Sequence, residues 1–363
     1  MRRPGLPNQG NTCYLNAVIQ ALYSCSSFKN EISRMSKLFN SNKNSFKLNL
    51  KLMLYFDVIH NLSILLINME HGNTNGLKQF TNSIMRMKKK FSIHSQQDAQ
   101  EFLLYLLEAV DDCREYLKRN LNCDLISPFN ASSAQKIICQ NCKNVSTKDQ
   151  RFNILTIPLN ANYNENSEKY GSWSLTRWAN VEQLKGENKY SCSHCASKQN
   201  AFMYPWIKEQ PQHLILHLCR FGIATSRSYS KHGNYGFIKK IKGCFPIPYF
   251  IPFCHHFFHG KYYDSEYYER LLKSTEDVNL IKAQYSDERF ISQEFVGYYL
   301  YAMVIHIGNS IGSGHYVMAY RMKTNNPLNW RIYDDASTYT MDVLTLYRNQ
   351  KYSPYLLFYE LLN

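Results

Sequence analysis

Apolar residues recur at helical spacing soon after a loop at the start of the chain. Leu15, Val18, Ile19 and Leu22 follow a stretch punctuated by Gly5, Pro7 and Gly10. This pattern predicts a core-facing helix that begins beside Cys13, with Asn11 or Thr12 as its cap. From Phe28 to about Asn82, helical-looking apolar segments alternate with polar turns, for example Leu48 to Ile67, before the break at His71-Gly72-Asn73-Thr74-Asn75-Gly76. A second stripe, Ala99, Phe102, Leu103, Leu106 and Val110, predicts another buried helix. Ser95, with Asp98 three residues later, predicts a capping box at its start. Asp98 and Glu101, three apart, share a face that is not this stripe and read most simply as helix-start acidity.

Farther along, the pattern turns β-like. Strand-forming runs are Gln135 to Ile138, Phe152 to Leu159, Ala201 to Ile207 and the alternating Pro211 to Phe221. Ser226 to Gly236 reads as a loop, Pro246 to Pro252 as extended, and Tyr262 to Asp287 as a polar, partly helical insertion. The aromatic and β-branched segment Tyr298 to His306 leads into a glycine-rich loop, Gly308 to Gly314. The chain returns through His315 to Arg321, and a third strand, from Trp330, ends in Asp334 and Asp335.

Chemistry enters at Cys13. At a helix N-terminus, unpaired backbone N–H groups and the positive end of the macrodipole favour a thiolate and would also stabilise an oxyanion. Asn8 is a candidate second donor for that charge. The alternative is a small buried hydrophobe, the usual fate of an intracellular cysteine. A thiol nucleophile needs a base, and His306 and His315 compete. His315 is preferred because flanking glycine leaves room for a substrate, whereas the neighbours of His306 read as buried. Asp334 is placed to orient His315, and Asp335 is a second carboxylate in reach of the same site.

Two C-x-x-C pairs, Cys139/Cys142 and Cys192/Cys195, have the spacing of a four-thiolate zinc ribbon, structural because it leaves no open coordination position. A further group, Cys254, His255, His256 and His259, is flanked by Phe253, Phe257 and Phe258 and reads as packing.

At 363 residues and 44% hydrophobic, the chain is long and apolar enough for a substantial core. No apolar run of membrane-spanning length and no signal-peptide pattern is evident, which points to cytoplasm or nucleus. In that setting 11 cysteines read as metal ligands and a reactive thiol, not as disulfides. Net charge is +14, with clusters at Arg86 to Lys90 and Lys239 to Lys242. Without a nucleic-acid motif, this reads as solvated basic surface, with neither membrane nor nucleic acid as a specific ligand.

Gly5-Leu6-Pro7-Asn8-Gln9-Gly10-Asn11-Thr12-Cys13-Tyr14-Leu15-Asn16 resembles the cysteine box of the ubiquitin-specific proteases. Gln96-Gln97-Asp98-Ala99-Gln100-Glu101-Phe102 is similar to that family's second motif. Gly314-His315-Tyr316 with Trp330 to Asp335 is similar to its histidine box, and Tyr352 to Glu360 to its closing strand. Pro211 to Phe221 resembles another family strand, with Cys219 where lysine is usual.

The resemblance implies a single papain-like α+β catalytic domain over residues 1–363. It would comprise a helical thumb at about 1–128, mainly zinc-bearing β fingers at 129–207 and mainly a β palm at 208–363. It implies a deubiquitinating thiol protease that cleaves after the C-terminal glycine of ubiquitin. Cys13 would be the nucleophile, His315 the base, Asp334 the orienter and Asn8 the oxyanion donor. Asp98, Glu101, Gln97 and Tyr316 would bind substrate, the two acids through the tail's arginines. One structural zinc on Cys139, Cys142, Cys192 and Cys195 is expected, and no cofactor for catalysis. Expected partners are ubiquitin, ubiquitinated proteins and an activating or targeting protein. The rival readings are a catalytically silent ubiquitin-binding module and a protease for another ubiquitin-like modifier.

Overall fold

The structure is a computed structural model that describes residues 3–159, 182–225, 236–241, 247–252, 296–310, 313–322, 328–349 and 351–362. The insertion Tyr262 to Asp287, the Cys254, His255, His256 and His259 cluster, and all but the last residue of the loop Ser226 to Gly236 lie outside the described residues.

Five helices open the chain: α1 (Cys13–Tyr23), α2 (Ser26–Asn42), α3 (Leu50–Glu70), α4 (Leu77–Met87) and α5 (Ala99–Leu121). Strands follow as β1 (Ala131–Cys139), β2 (Val145–Phe152), β3 (Leu155–Pro158), β4 (Glu182–Leu184), β5 (Tyr190–Cys192), β6 (Ser197–Gln199), β7 (Ala201–Glu209) and β8 (His213–Cys219). Next come β9 (Phe221–Thr225), β10 (Gly236–Lys240), β11 (Phe250–Pro252), β12 (Gly297–Ser310) and β13 (Ser313–Arg321). The chain closes with β14 (Asn329–Asp334), β15 (Ser337–Asp342), α6 (Val343–Arg348) and β16 (Tyr352–Leu362).

Two compact units emerge. One comprises residues 1–128, 217–244 and 301–358; the other comprises 129–216, 245–300 and 359–363.

In the first unit the helices pack on one another, and α1 lies against β13 and β14. The stripe read from the sequence is the reason: Leu15, Val18, Ile19 and Leu22 are almost fully buried. β13 pairs antiparallel with β12 on one side and with β14 on the other, and β14 pairs in turn with β15. The chain ahead of α1 is clamped as well. Arg3 lies over the rings of Tyr23 and Tyr333, 4.6 and 4.4 Å from their centroids, and donates to the Ser24 hydroxyl at 2.8 Å.

α3 departs from expectation. It is long and apolar enough to cross a membrane, although no run of that length stands out by eye because Lys51, Asp57 and His60 interrupt it. Here it packs against α2, α4 and α5, with Phe56, Val58, Ile59, Leu62 and Leu65 buried. The start of α5 also differs. Asp98, not Ser95, is the N-cap, its Oδ1 accepting from the N–H groups of Gln100 at 2.7 Å and Glu101 at 3.4 Å. The Ser95 hydroxyl accepts instead from the Gln97 side chain. Asp98 wins because its carboxylate reaches two orphan N–H groups of the first turn, those of Gln100 and Glu101, with a full charge for the macrodipole.

In the second unit β1, β2, β4 and β7 form an antiparallel sheet in the order β2-β1-β7-β4, and β5 pairs with β6. β2 alternates little and is largely exposed, so this sheet holds few core residues of its own.

One buried ion pair tests the helical packing. Arg114 on α5 bonds Glu31 on α2 and Asp111, and both Arg114 and Glu31 are nearly inaccessible. Arg114→Met should lower unfolding free energy by about 3–5 kcal/mol in urea titrations, because it strands a buried carboxylate. A change below about 1 kcal/mol would show that water reaches Glu31.

Candidate active site and four-cysteine cluster

Cys13 is the first residue of α1 and is buried. Thr12 occupies the N-cap position, yet its hydroxyl does not cap the helix. Instead it accepts from the Gln9 N–H at 2.9 Å and lies 3.2 Å from the Asn8 side-chain oxygen. That oxygen also accepts from the N–H groups of Gly10 at 3.0 Å and Thr12 at 3.1 Å. These donors fix which end of the Asn8 amide is oxygen. Its nitrogen donates one hydrogen to Asp335 Oδ2 at 2.8 Å, leaving one hydrogen for another acceptor.

His315 sits in β13 and Asp334 ends β14. The His315 Nε2 to Asp334 Oδ1 distance is 2.6 Å. Cys13 is the main influence raising the pKa of the same imidazole to about 9, against the desolvation that lowers it, with further help from Asp334. A charged imidazolium is therefore favoured between thiol and carboxylate up to about pH 9.

His306, the rejected alternative, is fully buried on β12, and burial holds its pKa down at about 3, with Lys240 adding to the effect. Gly314 lets the two histidines coexist. A side chain there would start 2.6 Å from His306 Nε2, and its φ of +156° belongs to the region that favours glycine.

Asp335 sits just past β14 at a left-handed φ of 50°. Its carboxylate takes Asn8 on one oxygen and Asn16, at 2.8 Å, on the other, while its carbonyl accepts from Leu6 N–H at 2.8 Å. The ligand atoms of His315, Asp334 and Asp335 thus lie within 4.8 Å of one another, with His315 bonded to Asp334 and Asp335 bonded to Asn8 and Asn16.

The substrate-contact residues expected from the sequence are placed less uniformly. Glu101 is partly exposed, and Lys90 bonds both of its carboxylate oxygens, at 2.7 and 2.6 Å. Asp98 is half-buried; its second oxygen accepts from the Tyr355 hydroxyl at 2.7 Å, and burial raises its pKa. Gln97 is half-buried. Tyr316 is the most enclosed of the four. It is 2% exposed, its ring against His306 and Tyr355. The reason is strand alternation, which turns Tyr316 to the face opposite its neighbour His315.

Sequence reasoning missed four residues: Gln96, whose amide reaches the Gly314 carbonyl, Tyr355 beneath Asp98, Asn16 on Asp335, and Lys90 on Glu101. Only proximity in the fold makes these pairs; apart from the Lys90–Glu101 pair, they join residues more than two hundred positions apart.

In the second unit the four sulfurs of Cys139, Cys142, Cys192 and Cys195 lie within 4.8 Å of one another. Cys139 and Cys195 are 4.0 Å apart, and Cys142 and Cys192 are 3.6 Å apart. A tetrahedron with zinc–sulfur bonds of about 2.3 Å has edges of about 3.8 Å, so the donor set fits zinc. Lys143 and Ala196 follow the two pairs with left-handed φ of 59° and 52°, turning each C-x-x-C back on itself. The backbone N–H of Cys142 is the main influence drawing Cys139 down to about 7, while the neighbouring thiols Cys195, Cys192 and Cys139 push Cys142 up to about 12.

Comparison with known proteins now bears on the whole chain. The family model for ubiquitin carboxyl-terminal hydrolase matches residues 4–359. The chain belongs to that family.

Ubiquitin carboxyl-terminal hydrolase 4 of Arabidopsis thaliana is 26% identical over 398 residues, covering 98% of this chain and 92% of the relative. Ubiquitin carboxyl-terminal hydrolase 12 of Salmo salar is 30% identical over 243 residues, 60% of each. Among solved structures, the SAGA DUB module Ubp8/Sgf11/Sus1/Sgf73 bound to ubiquitin aldehyde has a chain with TM-score 0.67 at 21% identity, covering 99% of this chain and 70% of that one. The same module bound to monoubiquitin gives 0.66 at 20%, covering 99% and 69%. These likenesses establish the fold. The ubiquitin carboxyl-terminal hydrolase described here is a deubiquitinating cysteine hydrolase of the ubiquitin-specific protease type, with mixed α and β structure.

The four-cysteine geometry gives a direct check. Elemental analysis of the purified hydrolase should find about one zinc per chain, falling to near zero in Cys142→Ser. Equal zinc in both proteins would place the metal elsewhere.

Proposed function

We propose that Cys13, His315 and Asp334 work as a nucleophile, a base and an orienter in cleaving the peptide or isopeptide bond after the C-terminal glycine of ubiquitin. The observations that carry this reading are the 2.6 Å contact of His315 with the Asp334 carboxylate and the influence of Cys13, the largest on the same imidazole. The Cys13 thiolate attacks the glycine carbonyl, and the tetrahedral oxyanion takes hydrogen bonds from the N–H groups opening α1 and from the free amide hydrogen of Asn8. The imidazolium then gives its proton to the departing amine, leaving a thioester on Cys13. Water, deprotonated by the neutral imidazole, attacks the thioester and releases ubiquitin. Asp335 holds Asn8 and Asn16 and acts as a positioning residue, not on substrate.

Glu101, with Asp98 behind it, takes the basic tail of ubiquitin through charge-assisted bonds. Asp98 contributes mainly negative potential, since both its oxygens already have donors. Zinc on the four cysteines has a structural role in the second unit: it crosslinks the turn after β1 to the turn between β5 and β6, where the core is thin. Ubiquitinated proteins are the substrates, in cytoplasm or nucleus, and a protein partner targets or activates the enzyme. The reading of the cysteines as metal ligands and a reactive thiol supports an intracellular setting.

Ubiquitin bearing a C-terminal electrophile should form an adduct on Cys13 that disappears in Cys13→Ala, read by peptide mass spectrometry. Binding without an adduct would favour the silent module or a missing activator. Reaction with another modifier's probe alone would favour the other protease.

The pH dependence has a defined sign. His315 is raised to about 9, so its proton is present below that value and lost above it. kcat/KM on a ubiquitin amide should fall as pH rises past about 9. In Asp334→Asn, which removes one raising partner, the fall should move toward 6.5. An unmoved alkaline limb would detach Asp334 from His315.

A further inference from the structure

Lys90 occupies the acidic slot that the tail of ubiquitin is expected to fill. Its ammonium bonds both oxygens of Glu101, at 2.7 and 2.6 Å. Such a pair between partly exposed groups is weak by itself, but the backbone that carries Lys90 is held in place. It sits in a turn where the Phe91 N–H bonds the Lys88 carbonyl at 3.0 Å and the Ser92 N–H bonds the Lys90 carbonyl at 2.9 Å. Phe91 anchors that turn, being 1% exposed and packed edge-on against Phe102 and Tyr105 of α5, with Tyr14 of α1 beside it. The far side of the turn is tied down as well, since the Ile93 carbonyl accepts from the Asn11 N–H at 2.9 Å.

Two other cations of the run are engaged elsewhere. Arg86 pairs with Asp57, and Lys88 lies over the Tyr105 ring, 4.5 Å from its centroid. The backbone therefore presents the Lys90 charge to Glu101 before any substrate arrives.

We propose that Lys90 is a built-in competitor for Glu101, which the guanidinium of an arginine in the ubiquitin tail must displace, so that Lys90 sets a ceiling on affinity for ubiquitin. The inference rests on the reading of Glu101 as a tail contact. Its chemistry is an exchange of one cation for another on a single carboxylate. Guanidinium wins because its planar fork matches both oxygens, whereas ammonium is a more strongly hydrated point charge. The displaced ammonium returns to water beside the incoming tail, so its repulsion of that tail persists after exchange and is screened by salt. Lys90 thereby selects for a tail that carries arginine, since one with lysine or no cation gains too little to displace it.

The test uses the full chain and ubiquitin with a C-terminal fluorogenic amide, together with direct binding of ubiquitin to the Cys13→Ala chain. At low ionic strength Lys90→Ala should lower KM and the dissociation constant about two- to five-fold, the range typical of exposed pairs, with kcat unchanged. Lys89→Ala, at an exposed neighbouring position, should change neither. Glu101→Gln should raise both constants, and adding Lys90→Ala to Glu101→Gln should give no further gain. The gain should also shrink in high salt and with ubiquitin whose tail arginines are alanine.

Lys90→Ala that leaves both constants unchanged or raises them, while Glu101→Gln still weakens binding, overturns the competitor role alone. Glu101→Gln with wild-type constants overturns the tail contact and the competitor with it. Absence of ubiquitin binding by every chain overturns the functional reading and this inference together.

Discussion

Everything at the active site depends on how residues 5–16 are fastened to the turn at 334–336. Asp335 is the fastener. Its carboxylate holds Asn8 and Asn16, and its carbonyl holds the Leu6 N–H. Gly5 is required at this contact because a Cβ there would collide with the carbonyl oxygens of Asp335 and Ala336. Close approach of the two segments brings the first turn of α1 beside β13 and β14, placing the Cys13 sulfur against His315 while Asp334 takes its other side. Reach is short for all three side chains, so an error of about an ångström in this docking would separate the three groups.

The same docking accounts for the electrostatics. A thiol at a helix N-terminus, an imidazole and two carboxylates share a partly buried space, and their charges hold one another in place. His315 is raised because it has a sulfur and a carboxylate as neighbours; His306, nine residues earlier, is lowered because it is buried beside Lys240. Two histidines on adjacent strands thus take opposite protonation states from their surroundings alone. The basic charge of the chain becomes intelligible on the same terms. A net charge of +14 would repel a basic tail, yet the local charge near α5 is set by Asp98, Glu101 and the cation that neutralises the latter.

The four-cysteine cluster obeys a separate logic. Its unit has a sheet with an exposed strand and few buried side chains, the kind of element that a metal crosslink stabilises most effectively. Nothing in the first unit needs such help, since its helices bury long apolar stripes.

Much was legible because the chemistry is local. A cysteine after Gly-Asn-Thr, the glycine before His315, the carboxylates ending a strand, and cysteines two apart each announce themselves within a few residues, as do the stripes of α1 and α5. The signal was weaker where competing donors and acceptors lie close together. Ser95 and Asp98 both suited the start of α5, and only the actual geometry let Asp98 win. Tyr316 stands beside His315 in sequence, but strand alternation buries its side chain against His306 and Tyr355.

The sequence alone therefore determined the class of chemistry, the order of helices before strands, and the residues with the reactivity the site requires. Tertiary structure decided which partners those residues have: Asp335 on Asn8 and Asn16, Tyr355 beneath Asp98, Gln96 on the Gly314 carbonyl, and Lys90 across Glu101. The reason is physical. Reactivity belongs to a side chain and its nearest neighbours along the backbone, whereas a hydrogen bond between two segments depends on how separate elements pack, and that is settled by the core as a whole.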